Sequence, residues 1–181
     1  MNNQRKQQRI LATTLIFVLM SLIGISILIK QSVKEESYFD YTDEDVKMLG
    51  DFMYAEILTY NKIGYSLDNE EYEDVKYAYM LTGSVVLHRL ESRLFGETME
   101  QVIFSPTQYS PYTQEAIGNI DTPAEVYEWA EELLKYGPKG PEDLIFESCF
   151  KMGFDTYWEL NGKIYFCTGN VTKKVEGGKV N

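Results

Sequence analysis

Three features of the sequence predict an α+β fold: a mainly helical domain with a small C-terminal antiparallel β-sheet, preceded by one transmembrane helix. Apolar residues recur at spacings of three and four through residues 42–136. Near the C-terminus two short β-type runs flank Asn161-Gly162, the strongest short-range hairpin signal. At the other end an uncharged apolar run fills residues 10–29.

That run is dominated by Leu, Ile, Phe and Val, and at about 1.5 Å rise per residue it is ~30 Å long, enough to cross a bilayer. A cleaved signal peptide would have a shorter apolar core and a small-residue cleavage site, and 29–34 offers none. Arg5, Lys6 and Arg9 precede the run, and Glu35 and Glu36 follow it. The expectation is a single-pass anchor with residues 1–9 in the cytoplasm and the rest extracytoplasmic. Residues 30–41 read as a linker, 42–172 as the domain and 173–181 as a disordered tail.

Charge narrows the partners. Four of the 17 basic residues and none of the 28 acidic ones fall within 1–30, so residues 31–181 carry a formal charge of −15. Such a domain is repelled by nucleic acid and by anionic lipid, and suits a neutral or cationic partner. With His88 the only histidine and Cys149 and Cys167 the only thiols, no His/Cys metal site can be assembled, and no Ca²⁺-loop spacing occurs. Neither metal nor cofactor is expected.

The elements follow in order. A helix over 42–60 has Thr42 as N-cap with Asp45 as its capping-box partner. Its apolar stripe is Val46, Leu49, Met53, Ile57 and Tyr60, and Glu44, Lys47, Met48 and Asp51 are expected to face solvent. Residues 61–72 read as an exposed loop. A second helix over 73–94 is apolar almost all round from Tyr77 to Leu87, the pattern of a helix buried in a core, and Gly83 allows a neighbour to come close. Thr98 and Gln101 cap a short helical turn, and Gly96 ends the segment before it. Residues 105–113 read as a loop whose tyrosines, amide and hydroxyls suit a sugar-binding groove, or an ordinary Pro-rich connection. A third helix has Thr122 as N-cap, Pro123 as first residue, Glu125 as capping-box partner and Gly137-Pro138 as stop. Strands are expected over 144–150, 156–160 and 163–168. A two-residue turn at Asn161-Gly162 would set Trp158 opposite Tyr165 and Thr156 opposite Cys167. If 144–150 lies beside the last strand, Cys149 and Cys167 come within disulfide range.

Glu56 is the residue with chemistry to offer. At about 100° per residue it falls on the border of the first stripe, beside Leu49 and Tyr60. A half-sunk carboxylate has its charged form disfavoured, and its pKa rises towards the range of a general acid. The competing reading is a boundary glutamate that reaches water or pairs with a Lys or Arg.

Met53-Tyr54-Ala55-Glu56, Val85-Val86-Leu87-His88-Arg89, the segment Glu97-Thr98-Met99-Glu100-Gln101-Val102-Ile103, and Gln108-Tyr109-Ser110-Pro111 occur in that order. Together they resemble the catalytic domain of the SleB and CwlJ type of cell wall hydrolase, the spore-cortex-lytic enzymes. The resemblance implies a lysozyme-like domain acting on the glycan strands of peptidoglycan, with Glu56 as catalytic acid. We count Gln108, Tyr109, Tyr112 and Tyr60 as substrate-contacting. The departures are specific. The family's second glutamate falls at Tyr60, its Tyr-Asn after the strand phenylalanine appears as Glu147-Ser148, and its Gly-Asn-His reads Asn161-Gly162-Lys163. The 61–72 loop expands its spacing to the second helix.

Glycoside cleavage ordinarily uses two carboxylates. The lytic transglycosylases, which this family resembles, use one glutamate, which suits a chain where Glu56 alone has an obvious buried edge. Glu147 and Glu159 are candidates for a second carboxylate. The rivals are a peptidoglycan-binding or structural module of the same fold without activity, and a Cys–His peptidase built from His88 with Cys149 or Cys167. The anchor can be tested directly: the mature protein should retain residues 10–29, and protease added to cells stripped of wall should degrade the domain. Recovery of a mature N-terminus near Ser32 would refute it.

Overall fold

The computed structural model describes residues 37–169 apart from 66, 68 and 69. The run at 10–29 and the tail 173–181 lie outside the described residues, among which no helix is long and apolar enough to cross a membrane. Among the described residues five helices, α1 (Asp43–Lys62), α2 (Tyr72–Ser92), α3 (Met99–Ile103), α4 (Pro111–Ala116) and α5 (Ala124–Tyr136), precede three strands, β1 (Leu144–Ser148), β2 (Thr156–Leu160) and β3 (Ile164–Thr168).

Helix α2 is the centre. Every residue from Ala78 to Arg89 is buried, as an all-round apolar helix requires, and α1, α3, α5, β1 and β2 all pack on it. At Gly83 the neighbouring helices come close: a Cβ there would lie 2.6 Å from Leu133 Cδ1 on α5 and 2.8 Å from Met53 Sδ on α1. The core between these helices is filled by Leu49, Phe52, Met53, Leu81 and Leu133, and Phe166 extends it under the sheet.

Helix α1 starts as expected, with Thr42 and Asp45 forming a capping box. Its outer face differs from expectation. Asp51 has no exposed surface, and Met48 packs against the core. The reason lies far along the chain. Asp51 Oδ1 accepts from the hydroxyls of Thr122 and Tyr127, each at 2.7 Å, and Oδ2 accepts from Gly118 N (2.9 Å) and Lys47 Nζ (2.6 Å). Burial alone would push this carboxyl up, but the donors outweigh it, with Lys47 foremost, and hold it below the usual carboxylate range. Thr122 is not the N-cap of α5: Pro123 occupies the cap position, no side chain caps that end, and the Thr122 hydroxyl donates to Asp51.

Two further segments depart from expectation. Within 105–113, Ser110 is an N-cap accepting from Thr113 N, and Pro111 opens α4. At the other end, residues 38 and 39, expected in the linker, dock on the domain. Their backbone N–H groups donate to Lys135 O and Leu134 O, satisfying carbonyls that the last turn of α5 leaves without helical partners.

The sheet has the order β1-β3-β2, with both pairings antiparallel. The β2–β3 turn spans three residues, because Leu160 pairs with Ile164; Asn161 and Gly162 take positive φ. Trp158 therefore sits opposite Phe166, not Tyr165, while Thr156 still meets Cys167 through a bulge between 156 and 158. The shift puts Ile164 and Phe166 on the buried face and stacks Trp158 on Phe166 with ring centroids 5.8 Å apart. Glu70 anchors the turn by binding the Asn161 amide and Lys163 Nζ. β1 does lie beside β3, but Cys167 is opposite Phe146, three residues from Cys149. Three residues are about 10 Å of strand, and a disulfide needs Cα atoms within ~7 Å. The Cys149–Cys167 bond expected from the sequence is not formed; both thiols are free.

Replacing Asp51 by Ala strands two hydroxyls, a backbone N–H and an ammonium, so it should destabilise the fold by about 3 kcal/mol in urea titration. Because the folded pKa is depressed, this stabilisation is present above the unfolded carboxyl pKa of about 4 and lost as pH falls through the lower folded value. The gap between wild type and Asp51→Ala should therefore narrow in acid.

Candidate active site

Three charged side chains from three elements meet beside the core: Glu56 from α1, Arg89 from α2 and Glu147 from β1. Glu56 is where the periodicity of α1 puts it, at the edge of burial with 9% of its surface exposed. Helix α4 fixes its carboxylate. The Thr113 hydroxyl, itself fully buried, donates to Glu56 Oε2 at 2.7 Å. Ser110 Oγ lies 2.8 Å and Thr59 Oγ1 3.0 Å from Thr113 Oγ1, so hydroxyls on both sides hold the donor in place.

Arg89 stands behind the carboxylates as their shared countercharge. Its Nε donates to the Ile145 carbonyl at 2.8 Å, and its guanidinium lies over the rings of Phe95 (4.8 Å) and Tyr109 (5.1 Å). One guanidinium nitrogen is buried without a hydrogen-bond partner, so its charge is balanced through space rather than by a direct bidentate pair.

Glu147 is the more isolated carboxyl. Its Oε1 lies 3.0 Å from Thr82 Oγ1, which is also 3.0 Å from the Ala78 carbonyl, while Oε2 is buried with no partner. Thr82 has one proton for two acceptors. A protonated Glu147 resolves this by donating to Thr82 Oγ1 and leaving the threonine proton to Ala78. Burial, then the charge of Glu56, pushes Glu147 well above the usual carboxylate range, against the pull of Thr82 and Arg89. Glu56 is also pushed up, by burial, with Thr113 and Arg89 opposing. The two titrate together, with Arg89 as the countercharge acting on both, and such a unit keeps a proton where an isolated glutamate would have lost it. That is acid–base machinery able to protonate a leaving oxygen.

The other expected site residues separate. Tyr60 is buried beside the pair, and burial followed by the charges of Glu147 and Glu56 keeps its hydroxyl protonated. Tyr109 is half-buried between Arg89 and Phe52, edge to face with Phe52 at 4.6 Å, and its hydroxyl is buried. Tyr112 remains exposed, with Lys62 Nζ 3.3 Å above its ring, and Gln108 is half-buried. Glu159 lies on β2 opposite Tyr165. His88 binds the Lys139 carbonyl and has no thiol for a partner, so the Cys–His arrangement is not formed. Among the described residues no cluster of three or more His, Cys, Asp or Glu could hold a metal ion. Sequence reasoning missed Thr113 and Arg89 as site residues. The signal for Thr113 was the Ser110-Pro111 helix start, and for Arg89 a cation within the buried stretch of α2.

Two buried carboxyls sharing a cation where helix meets strand define the class: a site for general acid–base chemistry without metal ligands. The chain belongs to the cell wall hydrolase family, whose pattern matches residues 76–175, more than half of its length. Membership points to an enzyme acting on peptidoglycan. The matched segment contains Thr82, Arg89, Tyr109, Thr113 and Glu147, whereas Glu56 precedes it. No curated protein and no solved structure matches the chain.

Because both carboxyls have raised pKa values in the folded state, their ionisation lowers stability as pH rises above the unfolded value of about 4.3. Glu147→Gln removes one ionisation and can still bond to Thr82. It should raise stability by about 1–2 kcal/mol at pH 7, and the gain should shrink towards pH 4. Thermal unfolding across that range measures both; a loss of stability at pH 7 would contradict the shared-proton description.

Proposed function

We propose that the protein cleaves the glycan strands of peptidoglycan as a lytic transglycosylase of the SleB and CwlJ type. Residues 10–29 would hold it on the outer face of the cell membrane. The observation that carries this reading is Glu56 itself, a carboxyl raised by burial, oriented by Thr113 and still at the edge of solvent.

In this reading Glu56 protonates the glycosidic oxygen, and the bond from that oxygen to C1 of the muramic acid breaks. The resulting carboxylate then takes the proton of the muramic 6-hydroxyl as that oxygen bonds to C1. No water enters and Glu56 ends protonated, ready for another turnover. Glu147 stays protonated beside it, held so by burial and by the charge that Glu56 acquires.

Hydrolysis is the second reading, favoured by the presence of Glu147 beside Glu56. Against it, Glu147 Oε2 is shut off from solvent and Oε1 is engaged by Thr82, which leaves it poorly placed to activate a water. A module that binds without cleaving has no use for a raised carboxyl pair.

Digestion of purified peptidoglycan with residues 31–181 decides among these. The expected product carries a 1,6-anhydromuramoyl end, and Glu56→Gln should lower turnover by roughly 10²-fold or more while leaving the fold intact. Glu147→Gln should keep turnover and leave the basic limb of the pH profile in place, because burial is what raises Glu56 and a protonated Glu147 is as neutral as glutamine. A reducing end together with loss of turnover in Glu147→Gln would make the reaction hydrolysis. Binding with no cleavage by the wild type would leave the module.

A further inference from the structure

On the side of α2 away from the carboxylate pair lies a cavity of about 580 Å³, within the range of small-ligand sites. Its wall is acidic. Glu91, Glu97, Glu142 and Asp143 line it against one guanidinium, that of Arg93, and Arg93 and Glu142 each have other interactions. Tyr38 and Phe39 supply an aromatic side.

His88 stands in the same wall and is only 3% exposed. Its Nε2 is 3.1 Å from the Lys139 carbonyl, which can only accept, so Nε2 carries the hydrogen. In the neutral ring Nδ1 then presents a lone pair. It is buried with no hydrogen-bond partner and lies 3.4 Å from Glu91 Oε2, another acceptor. Glu91 Oε1 is already bound by the Tyr38 hydroxyl at 2.7 Å. One positive charge completes this contact: a proton on Nδ1 makes it an ion pair, and with the neutral ring a cation entering from the cavity side supplies the charge at Glu91.

We propose that this cavity is an ammonium-binding subsite that takes the free side-chain amino group of a diamino acid in the peptide attached to the glycan. The carboxylates neutralise the ammonium, and Tyr38 and Phe39 cover its aliphatic stem. The proposal rests on the peptidoglycan reading above, and spacing supports it. Asp143 at the cavity and Glu147 at the carboxylate pair are four residues apart along β1, about 13 Å. An extended peptide of about four residues spans that distance.

The chain's single histidine makes a clean reporter, because selective ¹⁵N-histidine labelling of the protein gives one imidazole. Nα-acetyl-lysine amide should shift the His88 signals saturably, and its Nε-acetylated counterpart should not. Glu91→Gln, which retains an acceptor for Tyr38, and separately Glu97→Gln, should each weaken the response severalfold. On polymeric substrate, acetylating the free amino groups of peptidoglycan should raise KM by roughly tenfold with kcat unchanged. No saturable shift, or an equal response to the acetylated probe, overturns the subsite. A response to the probe with KM indifferent to acetylation overturns the assignment to the wall peptide and favours a lysine of a protein partner. Probe binding without any cleavage would instead sink the catalytic reading and leave the subsite standing.

Discussion

Burial of α2 on every side is the constraint on which the rest depends. An apolar helix surrounded by core can carry polar groups only if each finds a partner, because an unpaired buried polar group costs roughly 1–3 kcal/mol. Ser84, His88, Arg89 and Thr82 find their partners in one stretch of chain, and only His88 Nδ1 and one Arg89 nitrogen among their polar atoms are left without a hydrogen bond. Ser84 accepts from Lys139 N, His88 binds the Lys139 carbonyl, Arg89 donates to Ile145 O and Thr82 reaches Glu147. The polar residues of the central helix thus set the path from α5 into β1. The same bonds that satisfy the core bring Glu147 to Glu56.

Two kinds of buried carboxyl show how donors decide chemistry. Asp51, with no exposed surface, accepts four hydrogen bonds and is held in its ionised form. Glu147 has one hydroxyl, already shared, and an oxygen with no partner, and is held towards its protonated form. Burial pushes both upward, so the number of donors decides between them. Asp51 ties α1 to the start of α5 and does structural work. Its opposite number across α1, Glu56, has a single well-placed hydroxyl and remains able to exchange its proton.

Local pattern was legible where local physics controlled the outcome. The α1 stripe, the Thr42 cap, the all-round burial of α2 and the edge position of Glu56 all follow from a 3.6-residue period. Asp51 was read as solvent-facing because three of its four donors lie 67 to 76 residues away. The register of the β2–β3 pair was read one residue short because the turn length depends on Glu70, which grips Asn161 and Lys163 across the molecule. Ser110-Pro111 read as loop, although the same two residue types are a helix cap and first residue, and only Thr113 bonding to Glu56 shows what that helix is for. The pairing of Glu56 with Glu147 is tertiary altogether. A strand glutamate among Leu144, Ile145 and Phe146 hinted at a special role, but not at its partner.

The departures from the resembled family take on meaning once Tyr60 and Glu147 are placed side by side. That family's second glutamate falls at Tyr60 and its tyrosine after the strand phenylalanine falls at Glu147, so a phenol and a carboxylate have exchanged positions. In the fold Glu147 is the foremost charge acting on the buried Tyr60 hydroxyl, and both lie beside Glu56. The exchange keeps one phenol and one carboxylate next to the acid, and Arg89 stays as countercharge to both glutamates. What changes is the element that carries the second carboxylate, from a helix position one turn beyond Glu56 to a strand held by Thr82. A carboxylate on that helix would move with Glu56; one on β1 is fixed independently by the polar residues of α2. The exchange therefore ties the proton of Glu147, held in part by the charge of Glu56, to the docking of the sheet on the central helix, a dependence that neither residue alone would create.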